Sequence, residues 1–507
     1  MQKHFIAFNR IIPALSSEAS NDNALEHEDL LTLFDKFNYQ HDDGVCHGFT
    51  LTWAQEAALG LDYQFYSRLN LIKREKQTLP NSLYAITEKI KSSQTLSKKE
   101  QKRIEIRPFL EAICLAQSPD NYYEFYSQAL QQSNIDTIYK MIQLHLCRSQ
   151  STVKNLFGKT MSFTCPTDLN KFLQKLSEIL FIKNNVVVVC SSEEHTVGFK
   201  KYKNNVWLFM DINHLYEQSE EYPYQLLTSE ELCPTLYQSL FETSKQLVFH
   251  CSFIAKTGQR NLTQQIQSLD ALYPVNFEDT KISNCRGYGP LAIGVQNDDR
   301  HTVWKILRLH NKSPVISQSE LEHAFFYAAA CNRSHMMYQL MGIPKIDINS
   351  PCDNDGASAL CVACTYGNES VVQLLLRNGD INVNIKNSKE MTPLMLACKS
   401  AYTKKNHALF KLLLDAGADL TLTNQKGETA YEIAENHGNQ TALDAIAFYS
   451  SRTNHQFDPD RSPERLSTTK TTSNTIFSFF KHTFFDTKNE VFTANEVLRS
   501  ANNSKIR

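Results

Sequence analysis

This 507-residue sequence contains no apolar run that approaches the roughly 18 to 20 residues of a membrane-spanning helix. Its first residues, MQKHFIAFNRIIPALSSEAS, also lack the uninterrupted apolar core of a secretory signal peptide. The 13 cysteines are odd in number and lack the regular spacing of a disulfide framework. These absences predict a soluble protein without a transmembrane segment, whose thiols stay reduced in a cytosolic environment.

The chain also lacks an excess of charge, because 52 Lys and Arg residues balance 54 Asp and Glu residues to a net charge of -2. Such a balance gives no general attraction to nucleic acid, so we expect no nucleic-acid partner. Cys361-x-x-Cys364 has no second pair of ligands at a suitable spacing, and Gly287-Tyr288-Gly289 lacks the rest of a phosphate loop. We therefore predict neither a metal site nor a cofactor.

The patterns that are present divide the chain into parts. At roughly 100 to 200 residues per domain, 507 residues favour several domains. Between about residues 46 and 180, apolar residues recur every three or four positions, which predicts helices. From Asn184 onward, NNVVVVCSS, HTVGFKKY and VWLFMDIN predict three strands of an antiparallel meander. We predict an α+β domain over residues 35–250, after an N-terminal segment of residues 1–34.

Beyond residue 285 the sequence repeats itself. Five apolar positions, separated by 34, 35, 34 and 37 residues, are equivalent: Leu291, Phe325, Leu360, Leu394 and Tyr431. A small residue follows each of them three places later: Gly294, Ala328, Ala363, Ala397 and Ala434. Together with Thr392-Pro393-Leu394 and Ala416-Gly417-Ala418-Asp419, this period resembles the ankyrin repeat. The resemblance implies about five repeats over residues 285–450, an all-α solenoid that binds proteins.

Two segments carry weaker signals. Residues 251–284 show little pattern and are expected to connect the two domains. Residues 451–507 begin with a polar linker of disordered composition and continue with IFSFFKHTFFDTKNEVF, which is rich in phenylalanine. This C-terminal stretch predicts either a helix that contacts a membrane surface or a partner, or a helix that folds back on the last repeat.

Cys46, within QHDDGVCHGFTLTWAQ, is the candidate nucleophile. A nucleophilic cysteine needs an imidazole that takes its proton and a carboxylate or amide that orients the imidazole. His195 begins one strand of the predicted meander and Asp211 ends the next, so neighbouring strands can bring them together. Gln40 precedes Cys46 by six residues, and we expect its amide to join the Cys46 N–H in binding an oxyanion. Free cysteine also packs as a small hydrophobe, which leaves a structural Cys46 as the alternative.

These residues resemble a known protein family. The similar motifs are Gly44-Val45-Cys46, His195-Thr196-Val197-Gly198 and Asp211-Ile212-Asn213. They are similar to motifs of the papain-like cysteine proteases, and most of all to the YopT-like bacterial effector branch, although Ile212 replaces a proline. The resemblance implies Cys46 as nucleophile, His195 as general base and then acid, Asp211 as its orienting partner, and Gln40 in the oxyanion hole.

The two resemblances together imply a papain-like thiol hydrolase joined to an ankyrin recognition module. We expect the site to hydrolyse a peptide bond of a host protein that the repeats select. The combination also resembles ankyrin effectors of the Legionella type, which implies secretion by a bacterium, without a signal peptide, into the host cytoplasm. Two alternatives stay open, namely an inactive ankyrin scaffold and an acyltransferase or deamidase that uses the same cysteine. Because Cys46 and His195 precede residue 285, we expect catalysis and recognition to be separable.

Overall fold

The computed structural model describes residues 24–39, 44–122, 130–146, 151–180, 185–241, 246–284, 286–314, 316–344 and 346–453. Helices dominate its first part: α1 (His27–Lys36), α2 (Cys46–Ala58), α3 (Asp62–Glu75), α4 (Leu79–Lys91), α5 (Lys98–Ile104), α6 (Ile106–Gln117) and α7 (Ile135–Leu146). Most bury one apolar face, as α1 does with Leu30, Leu33 and Phe34. No helix in the described ranges combines the length and apolar character that crossing a bilayer requires.

Six antiparallel strands form one sheet beside these helices. They are β1 (Val153–Phe163), β2 (Val187–Ser191), β3 (Thr196–Lys203), β4 (Val206–Met210), β5 (Gln225–Thr228) and β6 (Leu247–Lys256), in the spatial order β1-β6-β2-β3-β4-β5. Strands β2, β3 and β4 are neighbours and form the meander that the sequence predicts. Strand β6 enters between β1 and β2, where it is buried up to Ala255.

The two faces of the sheet pack against different groups of helices, because successive residues of a strand point to opposite faces. Val187 and Met210 pack with α2 and the other N-terminal helices. Val188 and Phe199 pack on the opposite face with a second group of helices. That group is α8 (Pro166–Ile179), α9 (Ser229–Phe241), α10 (Arg260–Gln267) and α11 (Leu269–Leu272). The sheet is therefore a middle layer between two layers of helices.

Helix α2 is the most buried helix of the first layer, and every residue from His47 to Ala58 is buried. Glycines allow neighbouring elements to approach it closely. A Cβ added at Gly198 in β3 would lie 2.6 Å from the Trp53 ring, and a Cβ at Gly48 would lie 2.1 Å from the carbonyl oxygen of Ile113. Because neither position has room for a side chain, α2 is held tightly between the sheet and α6.

Strands β1 and β6 depart from the boundaries expected from sequence. β1 lies inside the stretch predicted as helical, and β6 continues past residue 250 into the expected connector. The sequence pattern does not predict β1, because this strand buries polar residues whose hydrogen-bond partners lie far along the chain. Lys159 pairs with Asp270, and the Thr160 N–H donates to Asp299 Oδ2 at 2.7 Å. Local periodicity carries no information about partners so far along the chain.

The described part of the chain after residue 286 is a stack of five helix pairs. They are α12 (Pro290–Gln296) and α13 (Arg300–Lys312), α14 (Gln318–Ala330) and α15 (Ser334–Met341), α16 (Ala359–Thr365) and α17 (Glu369–Leu376), α18 (Pro393–Lys399) and α19 (His407–Asp415), and α20 (Ala430–Asn436) and α21 (Gln440–Thr453). The small residues Ala328, Ala363, Ala397 and Ala434 are fully buried where the pairs stack. The turn between α18 and α19 is longer than the others, as the 37-residue step predicts.

The first helix pair, α12 and α13, is attached directly to the sheet. Helix α12 packs on β1 and β6, where Ile293 joins Val248 and Ile282 in one apolar cluster. The bond between the Thr160 N–H and Asp299 links β1 to the start of α13. Because removing the repeats would expose this apolar surface, the two modules are less separable than the sequence suggests.

Candidate active site

Cys46 is the first residue of α2, where it lies half-buried against the N-terminal core. Its Sγ donates to the carbonyl oxygen of Glu194 at 3.7 Å, so the thiol lies beside the turn between β2 and β3. The backbone N–H groups in the first turn of a helix form the positive end of its dipole. The fold therefore places this cysteine at a helix start, next to the turn that carries His195.

His195 lies at the end of that turn, directly before β3. Ser192 closes the turn, because its N–H donates to His195 O at 2.9 Å and the His195 N–H donates to Ser192 Oγ at 3.1 Å. The imidazole Nε2 lies 2.9 Å from Asp211 Oδ1. Burial acts to lower the pKa of His195, but the hydrogen bonds with Asp211 and Cys46 outweigh burial. The net effect raises the pKa from 6.5 to about 10. Pairing with Asp211 therefore favours the protonated form of the imidazole.

Asp211 follows β4 and begins the short 3₁₀ turn Ile212–His214. Its side chain is 1% exposed, and Oδ1 accepts the Asn213 N–H at 2.9 Å in addition to the bond with His195. Burial acts to raise the pKa of this carboxyl, but the hydrogen bond and charge of His195 lower it below its ordinary value. A buried carboxylate is thus paired with a buried imidazolium.

Cys46, His195 and Asp211 form one cluster where α2 meets the β2–β3 turn and the end of β4. Since Asp211 engages Nε2, Nδ1 is the ring nitrogen left for the thiol. In the order thiol, imidazole, carboxylate, the imidazole can move the thiol proton and the carboxylate can orient the ring. Gln40, the expected oxyanion donor, lies outside the described residues, and its role stays a prediction.

His27 in α1 is a further member of this cluster, and no sequence motif points to it. Its Nε2 accepts the Val45 N–H at 3.3 Å, which leaves Nδ1 to donate to Asn213 Oδ1 at 3.2 Å. Burial lowers the pKa of His27, in agreement with the neutral ring that this pattern requires. One side chain thus joins the residue before Cys46 to the turn after Asp211.

Other histidines and cysteines that stand out in the sequence have structural surroundings. His47 is buried with Nδ1 at 3.3 Å from Thr196 Oγ1, and burial lowers its pKa to about 4. Cys361 and Cys364 are buried in α16, and burial raises the pKa of both thiols. Over the described ranges, no group of three or more His, Cys, Asp or Glu side chains is arranged to hold a metal ion.

Comparison with known proteins identifies the C-terminal helix pairs. A family model described as ankyrin repeats (3 copies) matches residues 291–387 and 325–424. A Rickettsia bellii protein described as an ankyrin repeat protein is 35% identical over 94 residues, or 18% of this chain and 54% of that protein. The Escherichia coli K12 ankyrin repeat protein YahD is 38% identical over 84 residues, or 16% of this chain and 42% of YahD.

A solved structure of the ankyrin repeat protein EF0377 aligns with 36% of this chain and 90% of its own, with 20% identity and a TM-score of 0.30. The chain spans about half the length of the Rickettsia relative and less of YahD. The family match confirms that the chain contains ankyrin repeats, as its period predicts. Because ankyrin repeats are protein-binding solenoids, this part of the chain has the architecture of a protein-binding module.

Proposed function

We propose that this protein is a papain-like cysteine protease whose Cys46, His195 and Asp211 hydrolyse a peptide bond of a protein bound by its ankyrin repeats. The observation that carries the proposal is the 2.9 Å bond between His195 Nε2 and Asp211 Oδ1, next to a half-buried thiol at a helix start. Buried charges destabilise a fold unless they are paired. Titratable groups with perturbed pKa values concentrate at functional sites, which supports a catalytic role for this pair.

In the first half of the proposed reaction, the thiol proton of Cys46 passes to His195, and the resulting thiolate attacks the carbonyl carbon to form a C–S bond and a tetrahedral oxyanion. The imidazolium of His195 transfers its proton to the amide nitrogen as the C–N bond breaks, so the amine product leaves and an acyl-thioester remains. Water then attacks the thioester while the neutral imidazole takes its proton. The C–S bond breaks, the acid product leaves, and the thiolate and imidazolium are restored.

The start of α2 is the proposed oxyanion site. Two N–H groups near Cys46 are already engaged. The Val45 N–H, just before the helix, donates to His27, and the Gly48 N–H, within the first turn, donates to Gln117 Oε1 at 2.9 Å. We assign the Cys46 N–H as the backbone donor to the oxyanion and keep Gln40 as the proposed second donor. Asp211 contributes by holding the charged imidazole in one orientation during both halves of the reaction.

The ankyrin repeats are the proposed substrate-recognition module. We propose a host protein as the substrate, and delivery of this chain from a bacterium into the host cytoplasm, because the combination of modules resembles such effectors. The phenylalanine-rich part of residues 451–507, proposed to contact a membrane surface or a partner, lies outside the described residues.

A catalytically inactive ankyrin scaffold is the second candidate function. The comparisons favour this candidate, because the family model that matches the chain describes ankyrin repeats and two matching relatives are described as ankyrin repeat proteins. An acyltransferase or deamidase would share the Cys46 acyl-thioester with the protease. An amine instead of water would resolve the thioester in the acyltransferase, and ammonia would be the first leaving group in the deamidase.

Alkylation of the full-length protein separates an enzyme from a scaffold. We expect iodoacetamide at pH 6 to label Cys46 faster than any other cysteine, and His195→Ala to abolish this advantage. Cys165 is the matched control, because it is also half-buried at a helix start but bonds to Asp168 rather than to an imidazole. If Cys46 and Cys165 react equally fast and His195→Ala changes neither rate, the scaffold replaces the enzyme as the proposed function.

A further inference from the structure

The turn between β2 and β3, which carries His195, is hydrogen-bonded to the first helix pair of the repeats and to the segment before it. Glu193, two residues before His195, has a side chain that is 1% exposed. Asn284 Nδ2 donates to Glu193 Oε1 at 2.8 Å, and Gln296 Nε2, at the end of α12, donates to the Glu193 carbonyl at 3.3 Å. Arg286 Nη1 lies 3.6 Å from the same Oε1 and also pairs with Glu194. Both the side chain and the backbone of the turn are therefore fixed by residues of the first helix pair and the segment before it.

Asn284 is a rigid donor because its own turn fixes its amide. Its Oδ1 accepts the N–H groups of Arg286 and Tyr288 at 3.0 Å each, and its N–H donates to Tyr288 O at 2.9 Å. With Oδ1 occupied by donors, Nδ2 is the end of the amide that faces Glu193. Tyr288 stacks on His323 of α14 with ring centroids 3.9 Å apart. A continuous chain of contacts thus joins the second helix pair to Glu193.

The same turn reaches the candidate active site on its other side. The Glu194 carbonyl accepts the Cys46 thiol at 3.7 Å, and His195 follows directly with its bond to Asp211. A shift of Glu193 would therefore move both the carbonyl that contacts the thiol and the backbone that carries the imidazole. A displacement of about 1 Å at a catalytic group is enough to slow a reaction about 100-fold.

We propose that Glu193 is a positioning residue through which the first helix pair of the repeats aligns His195 with Cys46. This inference rests on the proposed function and deepens it, because it makes the first repeat part of the catalytic unit as well as part of the binding module. Binding of a protein that shifts the first helix pair would then change the reactivity of Cys46.

The Glu193 carboxyl is buried, so its position depends on the hydrogen bond from Asn284. Charged and titratable neighbours are Arg286 and Glu194, with the Tyr288 and Tyr327 hydroxyls on the repeat side. Burial raises the pKa of Glu193 to about 7, and its own backbone N–H and Arg286 oppose this rise. A buried carboxyl that loses its hydrogen-bond donor rearranges to find water or another donor. Loss of the Asn284 amide should therefore displace the turn.

The test compares full-length variants by the rate constant for Cys46 alkylation from pH 5 to 9, with the melting temperature measured in parallel. We expect Glu193→Ala and Asn284→Ala each to lower the rate at pH 6 by about 10- to 100-fold. Their effects should not add in the double variant, because both remove the same contact. Glu193→Gln keeps an acceptor oxygen for Asn284, so its rate should stay within about threefold of wild type.

His301→Ala is the matched control, because it removes a 3.0 Å contact between the first helix pair and Asp270 without touching the turn. A purely structural role predicts that all variants lower the melting temperature while the alkylation rate at pH 6 stays unchanged, which would overturn the inference.

If Glu193→Ala does not fold, Gln296→Ala replaces it as the test variant, since it removes only the bond to the Glu193 carbonyl. A wild type without fast, His195-dependent alkylation refutes the proposed function itself, whereas a fast wild type with equally fast variants refutes this inference alone.

Discussion

Replacing Asp211 by Asn tests whether the candidate site holds an ion pair. The substitution keeps the size of the side chain and an oxygen that can accept the His195 bond, but it removes the charge. The pKa of His195 lies at about 10 instead of 6.5. At about 1.4 kcal/mol per unit, this difference corresponds to about 5 kcal/mol of stabilisation, which Asp211 shares with Cys46. We expect Asp211→Asn to lower the free energy of unfolding by about 3 kcal/mol at pH 6.

The dependence of this loss on pH identifies its cause. A raised pKa means that the folded protein keeps a proton that the unfolded chain releases above pH 6.5. The stabilisation is therefore fully present below pH 6.5 and is lost as the pH rises toward 10. The effect of Asp211→Asn should shrink to about 1 kcal/mol or less at pH 9.5.

Urea unfolding at pH 6 and pH 9.5 measures both values, with the fluorescence of the buried Trp53 and Trp207 as the signal. Asp299→Asn is the control, because this buried carboxylate accepts the backbone N–H groups of Thr160 and Thr302 rather than an imidazole hydrogen bond. The histidine whose charge it influences, His250, has a pKa that burial lowers rather than raises. Its loss of stability should be the same at both pH values. An equal loss for Asp211→Asn at pH 6 and pH 9.5 would refute the ion pair and the proton transfers built on it.

Three further predictions concern packing and positioning. Ala363→Leu should overpack the contact between repeats by about 1 to 3 kcal/mol, and an unchanged melting temperature would contradict the repeat register. Gly198→Ala should push α2 away from β3 and reduce both stability and Cys46 alkylation, whereas Gly379→Ala, which has open space around it, should leave both near wild type. His27→Ala should slow Cys46 alkylation because it removes the link between Val45 and Asn213, and an unchanged rate would show that this link is dispensable.

The repeats and the strand meander are the parts of the fold that local sequence patterns reveal. Their signals are a 34-residue spacing of equivalent positions such as Leu291 and Phe325, and short β-branched or alternating runs between turns. The sequence pattern does not reveal β1, because Lys159 and Thr160 are buried against Asp270 and Asp299, which lie far along the chain. Patterns of polarity identify elements whose burial is apolar, and they fail where polar residues are buried in pairs.

The candidate site shows the same division. Cys46, His195 and Asp211 can be selected from sequence because their chemistry and order are distinctive, and the structure places all three in one cluster. His27 and Glu193 cannot be selected, because each acts through contacts that exist only after distant elements pack. Glu193 bonds with Asn284 and Gln296, so the contacts between the sheet domain and the repeats are also invisible in the sequence.

The central proposal is that Cys46 cleaves a protein captured by the repeats, and the direct measurement is the set of new N-termini that the enzyme creates. Full-length Cys46→Ala is used to capture partner proteins, which are then incubated with wild type or with fresh Cys46→Ala and analysed by mass spectrometry. We expect wild type, and not the variant, to generate a defined new N-terminus in a captured protein. A captured protein that keeps its termini but gains an acyl group or loses an amide would indicate a transferase or deamidase. A protein that wild type leaves entirely unchanged would contradict the proposed chemistry and leave the scaffold as the function.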